Sequence, residues 1–251
     1  MGGRGGASGF PANGPTPIPP VVQAGPTSAA ETKDLQELHD YMKTLGVRVD
    51  MQSLAGQTFE NVRHAASGVE QIVKEFPQAV ATFNKLRGKD LAKNVLANAS
   101  IGGNITLANH YFQKTEGELD KKYQQTVKNG YHPAGTAVRD IATHEAGHIL
   151  ERALIQKAFP GNDYFSRLSQ ASAWNNSTMS TKVVHEAVSN LKKTPAGKGK
   201  LTNDFIKEVS HYATKNRSET LAECVADYAA NGNNAKPLSV AVWNILKREL
   251  G

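Results

Sequence analysis

The stretch His144-Glu145-Ala146-Gly147-His148 sets two imidazoles four residues apart with a carboxylate between them. On a helix, residues i and i+4 share a face one turn apart. His144 and His148 can then each aim a ring nitrogen at one point, as the first two ligands of a tetrahedral Zn2+ must. Glu145 adjoins the same edge and can reach a water on the metal without binding the metal itself, which is the place of a general base. So short a pattern also recurs by chance, so a third ligand has to come from elsewhere in the chain.

The source is a second segment, residues 211–229. Glu219, Glu223 and Asp227 fall there at i, i+4 and i+8, on a stretch whose Leu221, Ala222, Val225, Ala226, Tyr228 and Ala229 form a broad apolar face. Three carboxylates stacked along one helix face repel one another unless solvent or a cation intervenes. Two plainer accounts compete. Asn216 followed three residues later by Glu219 is a capping-box pattern, and a row of acids can be a solvated face. Within the metal reading, Glu219 or Glu223 could be the inner ligand, with Glu223 or Asp227 as its outer partner.

The first motif needs a helix, and residues 140–154 supply one: Ile141, Ala142, Ile149, Leu150, Ala153 and Leu154 form an apolar stripe, with Arg139, Glu151 and Arg152 at polar positions. Gly147 costs helix propensity about 1 kcal/mol against alanine, so its presence predicts close approach by another backbone. Upstream, residues 34–45 and 58–76 read as amphipathic helices, ended by Gly46 and Pro77. Residues 47–50 alternate like a short strand, and 83–86 is a short piece of no clear type. Residues 97–112 form the best strand region, with a turn at Gly102-Gly103 and alternation over 104–109. That strand is either an ordinary sheet edge or one that pairs with an extended peptide beside the metal. Residues 116–127 read as a helix, residues 164–191 as one polar helical stretch, and 194–200 as a loop. His185-Glu186 starts like a second metal motif but meets Ser189 where a histidine is needed. His39, His64, His110 and His132 lack ligand spacing and read as ordinary surface or core histidines.

Composition bounds the rest. The chain has 251 residues, 39% hydrophobic and 21% charged, enough for a sizeable core in a single domain. Residues 1–30 are rich in Gly and Pro and read as a flexible arm, leaving residues 31–251 as the folded domain. The single cysteine, Cys224, permits no intramolecular disulfide and reads as a small buried residue. No apolar signal core and no run of about 18 apolar residues is present, so neither export nor a membrane partner is expected, and a cytoplasmic or virion-associated location is. The net charge of +6 comes without a Lys/Arg run or aromatic–basic interleaving, which weighs against nucleic acid as a partner.

Taken together, His144-Glu145-x-x-His148 and the downstream Tyr212, Asn216, Glu219 and Glu223 resemble the gluzincins, zincin-type metallopeptidases with a glutamate as third ligand. The resemblance points to the catalytic domain of anthrax lethal factor and to the zincin domains of phage minor head proteins. It covers mainly residues 100–230 and rests on those two segments, with residues 105–109 and His132-Pro133-x-Gly135 similar to the phage-type members. The stretch between His148 and Glu219 runs longer than in compact gluzincins. The resemblance implies an α+β zincin-like domain, mostly helical with a small sheet. It implies zinc on His144, His148 and Glu219, Glu145 as general base, Tyr212 as oxyanion donor, and Glu223 hydrogen-bonded to a ligand histidine. The activity implied is zinc-dependent endopeptidase action on a protein or peptide substrate. The alternative is a phage-associated virion or delivered effector protein, with phage structural proteins as partners, whose fold serves a structural or binding role.

Overall fold

The computed structural model describes residues 25–251. The expected arm over residues 1–30 lies outside the described residues as far as residue 24, but its last residues belong to the domain. Ala29 is fully buried and donates its backbone N–H to Glu70 Oε2 at 2.9 Å. One methyl and one backbone donor make this contact, and neither leaves a mark in composition.

The chain begins with α1 (Leu35–Thr44), capped by Asp34, which accepts the Glu37 N–H. Gly46, at φ +82°, then turns it into β1 (Arg48–Val49). Next come α2 (Met51–Leu54), α3 (Phe59–Glu75), β2 (Lys85–Lys89), β3 (Ala97–Ala99) and β4 (Asn104–Ala108). After these come α4 (Asn109–Phe112) and α5 (Glu116–Lys128), the latter opened by a Thr115–Glu118 capping box. The remainder is helical: α6 (Val138–Ala158), α7 (Tyr164–Asn175), α8 (Thr178–Lys192), α9 (Thr202–Val209), α10 (Arg217–Asn231) and α11 (Pro237–Leu250). The architecture is α+β, helices predominating over one small mixed sheet. No described helix is long and apolar enough to cross a membrane.

The sheet order is β1-β2-β4-β3, parallel except for the antiparallel β3–β4 pair. Three sequence expectations need correction here. β4 is neither an edge nor free to take up a peptide, because β2 and β3 flank it and Ile105 to Ala108 are all buried. The edges are β1 and β3. Residues 109–112 close into a helical turn and do not extend the strand. The stretch 164–191 is two helices, broken where Ser177 takes a left-handed φ of 50°. The piece around 83–86 proves to be the start of β2, whose Lys-Leu-Arg-Gly-Lys composition hides a strand exposed on one face.

Helix α6 runs through the centre, with α3 against one side and α10 against the other. Both contacts depend on glycine. Gly68 of α3 lies against the Arg139 carbonyl and Thr143 hydroxyl of α6, and a Cβ on Gly147 would stand 2.9 Å from Ala222 Cα of α10. The close approach expected at Gly147 is therefore that of α10. Buried Ile72, Val69, Ile149, Leu150, Leu221 and Val225 join these helices into one core, and α8 and α11 back α10. The tight α6–α10 crossing brings the two chemistry-bearing segments face to face.

Candidate metal centre

Helix α6 carries His144, Glu145 and His148 on the side turned to the N-terminal end of α10. Asn216 caps α10 by accepting the Glu219 N–H at 2.9 Å. The Glu219 side chain does not complete a capping box; its carboxylate turns instead toward α6. Glu219 Oε2 stands 3.1 Å from His144 Nε2 and 3.4 Å from His148 Nε2. One donor atom from each of these three residues lies within 4.8 Å of the others, so the group could hold a metal ion. Metal bonds of about 2.0–2.1 Å in a tetrahedron give ligand–ligand edges of about 3.3 Å, and the two observed separations bracket that value. Two imidazoles and one carboxylate leave a fourth position open, as catalytic sites do and structural ones do not.

Glu223 and Asp227 are not in the donor set. Glu223, almost fully buried, stands behind His144, with Oε1 2.8 Å from Nδ1. That contact has the distance of an ion pair but not the alignment of a good hydrogen bond, and Nδ1 has no other partner. Glu223 also accepts from Ser210 Oγ at 2.7 Å and meets His132 Nδ1 at 3.1 Å. Asp227 accepts from Asn231 Nδ2 and from the Lys236 N–H, one helical turn beyond the site. The three acids therefore do not repel across one empty face, because each meets its own donors.

His148 has an outer chain of its own. Its Nδ1 lies 2.9 Å from Ser218 Oγ, and the Ser218 hydroxyl donates to Glu151 Oε2 at 2.6 Å. Glu151 is buried and takes the Ser180 N–H on its other oxygen. With the hydroxyl proton given to Glu151, Ser218 accepts the Nδ1–H of His148 and leaves the Nε2 lone pair facing the donor group.

Charge follows from these contacts. Burial alone would lift the Glu219 carboxyl, but the hydrogen bonds and charges of His144 and His148 outweigh it and hold the group far below the usual carboxylate range. Burial opposes ionisation of Glu223 too, and His132 and His144 bring it down to about 2. Burial works against the charged form of His144, yet Glu219 and Glu223 carry its pKa well above the ordinary value. Glu145 shifts the other way. Burial raises it, against the lowering influence of the two histidines. Burial, with Glu219 and Glu145 beside it, raises the Tyr212 phenol, so it stays a donor; its hydroxyl points to Glu219 Oε1 at 3.3 Å.

The site opens into two clefts that share Val95, Ala97, His144, Glu145 and Tyr212. Both reach β3, one of the two sheet edges. His132, read from sequence as an ordinary histidine, is instead part of this arrangement: it bonds Glu223 and stacks on Tyr123 at 5.3 Å between ring centres. Its place in His132-Pro133-x-Gly135 was the one available signal. Ser210, Ser218 and Glu151 carried none. Comparison with protein-family models, curated proteins and solved structures finds no match to this chain.

Proposed function

We propose that this protein is a zinc-dependent endopeptidase of the gluzincin type, with a zincin-like fold. The observation that carries the reading is the grouping of His144, His148 and Glu219 within 4.8 Å, with Glu219 Oε2 at 3.1 Å from His144 Nε2 and 3.4 Å from His148 Nε2, close to tetrahedral edge lengths. That group lies in a cleft whose wall also carries Glu145.

His144, His148 and Glu219 would hold a Zn2+, which would supply a Lewis acid for the peptide carbonyl and the attacking water. Glu145 takes the proton from the attacking water and delivers it to the leaving amine. Its burial keeps the carboxyl easier to protonate than a surface glutamate. The Tyr212 hydroxyl, released from Glu219, donates to the oxygen on which negative charge develops. Ser218 bonds the Nδ1 side of His148 and Glu223 stands against that of His144, with both Nε2 atoms toward Glu219. β3 is an edge strand beside the cleft, against which an extended substrate can lie.

The test is metal analysis of purified protein together with cleavage of a diverse peptide library. One zinc per chain and cleavage by the wild type are expected. Glu145→Gln keeps size, shape and metal but cannot act as a base, so its rate should fall by about 10²–10⁴-fold. A zinc-loaded wild type that cleaves nothing would overturn the enzyme reading in favour of a structural or binding role for the fold, as in a phage-associated scaffold.

A further inference from the structure

The two clefts beside the metal group differ in charge. The smaller, of about 420 Å³, is lined by Glu145, Glu219, Trp174, asparagines and serines, with no lysine or arginine. The larger, of about 580 Å³, carries Lys122 and Lys215. The Lys122 Nζ rests 4.3 Å from the Tyr111 ring centre, and the Lys215 Nζ 4.4 Å from that of Tyr212. Neither lysine forms a salt bridge among the described residues. Each is held over an aromatic face with its charge unmatched.

The carboxylates on the same cleft do not neutralise them. Asp140 is buried, caps its own helix by accepting the Ala137 N–H, and stands 3.5 Å from Arg139 Nε. Glu145 is buried beside His144, where the two clefts meet. Tyr111, Tyr123, Tyr131 and Ile141 complete walls that suit the methylenes of a side chain reaching toward a lysine. The volume is that of a pocket able to take a small molecule or one or two residues.

From this asymmetry we infer that the larger cleft selects peptide substrates with an acidic side chain, Asp or Glu, next to the scissile bond, and that Lys122 and Lys215 are the specificity-determining residues. The inference rests on the peptidase reading and names its substrate class. A lysine at such an open site contributes at most about a five-fold preference for the acid over its amide, the reach of an exposed ion pair. The preference fades at high salt.

Two measurements test it. In the first, zinc-loaded wild type and Lys122→Glu/Lys215→Glu digest the same peptide library, and cleavage sites are read by mass spectrometry. Asp and Glu should be enriched at one position flanking the cut in the wild type, and Lys and Arg should replace them in the double variant. Cleavage without an acidic preference, or with one that survives charge reversal, overturns the inference and leaves the peptidase reading intact. In the second, fluorescence anisotropy follows labelled peptides binding to Glu145→Gln. The peptides are matched pairs, Glu against Gln, each with a free or an amidated C-terminus. Tighter binding of the Glu peptides, abolished by charge reversal, supports the inference even if the wild type cleaves nothing and the peptidase reading falls. Equal binding overturns it, as does a preference that follows the free C-terminus and ignores the side chain.

Discussion

His144 and His148 sit one turn apart on the same helix and face the same point, yet they are held from behind in unlike ways. His144 is backed directly by a buried carboxylate, Glu223, which is shared with His132 and Ser210. His148 is backed by a hydroxyl, Ser218, and only through it by a carboxylate, Glu151. The first support is a charge in contact, able to stabilise an imidazolium as well as to orient a neutral ring. The second is a directional chain of hydrogen bonds that fixes a tautomer but places full charge one bond further away. A buried ion pair is costly to break from one side, because the surviving charge is stranded, whereas a broken hydrogen-bond chain strands neutral donors and one acceptor. The two histidines should therefore respond equally when they are removed and unequally when their partners are.

The largest effects set the baseline. His144→Ala, His148→Ala and Glu219→Ala each delete a donor from the group, and each should weaken Zn2+ by more than the 10–100-fold typical of outer partners. Competition against a chelator reads this, and full zinc retention in both histidine variants would mean that the ion sits elsewhere. The partners come next. Glu223→Ala should fall at the upper end of that 10–100-fold range and lower the stability of the metal-free chain by about 3–5 kcal/mol, since His132 and Ser210 lose their acceptor and His144 its buried counter-charge. Ser218→Ala should fall at the lower end, with about 1–3 kcal/mol lost from an unpaired Nδ1–H and Glu151 oxygen. Equal losses in the two variants would erase the distinction. Zinc lost from Glu223→Ala but kept in Glu219→Ala would invert the donor assignment.

Glu151→Gln tests the directional chain without deleting an atom from it. Glu151 accepts on both oxygens, from the Ser180 N–H and the Ser218 hydroxyl. A glutamine keeps its oxygen for the backbone donor, which cannot turn, and presents an NH2 to Ser218. The hydroxyl must then accept from the amide and donate to His148 Nδ1. That moves the ring proton to Nε2, the atom that faces the metal group. Zinc affinity should drop by about ten-fold although the residue is more than one shell away, and 15N shifts of the imidazole in the metal-free protein should report the exchanged tautomer. An unchanged tautomer would show that the chain does not govern His148.

What could be read from sequence divides along the same line. The two histidines were legible because helical periodicity makes them local, at i and i+4; the acids at i, i+4 and i+8 on a second helix left Glu219 and Glu223 open, and the resemblance to the gluzincins chose Glu219. Gly147 announced the α6–α10 contact that joins them. Of the supports, Glu223 beside a ligand histidine was expected, and only through the resemblance; the others were not legible. Glu223 reaches His132 across 91 residues, and Ser218 reaches Glu151 across 67. Such pairings belong to tertiary packing and have no spacing of their own. The sheet was half legible: β4 has the apolar alternation of a strand, while β2 is polar and β3 is three residues long. The order that leaves β3 at the edge beside the cleft is set by the β2–β4 pairing, which no local pattern encodes. Ala29 was missed for the same reason: a buried alanine in a Gly/Pro-rich stretch looks like its neighbours.

The smallest effect lies furthest from the metal, at His132, and it bears on whether the Glu223 support is one contact or a network. His132→Phe keeps a ring to stack on Tyr123 but removes the hydrogen bond to Glu223. Glu223 retains Ser210 and His144, so zinc affinity should change by less than the ten-fold lower bound for outer partners. The clearer signal is in acid. The Glu223 pKa is depressed to about 2 in the fold, by His132 and His144 against burial. A carboxyl with a depressed folded pKa contributes stability that is present above its unfolded value near 4.3 and is lost as pH falls through the folded value. Removing His132 lets that folded value rise toward the unfolded one, so the stability is smaller and is lost at higher pH. The acid-unfolding midpoint of the metal-free variant should therefore move up, while its stability at neutral pH falls by about 1.5 kcal/mol, the low end for a hydrogen bond to a charged group. An unmoved acid limb would mean that His144 and Ser210 alone hold Glu223. A zinc loss as deep as that of Glu223→Ala would mean that His132 supports the donor group itself, and the contrast between the two histidines would have to be redrawn as three histidines around one carboxylate pair.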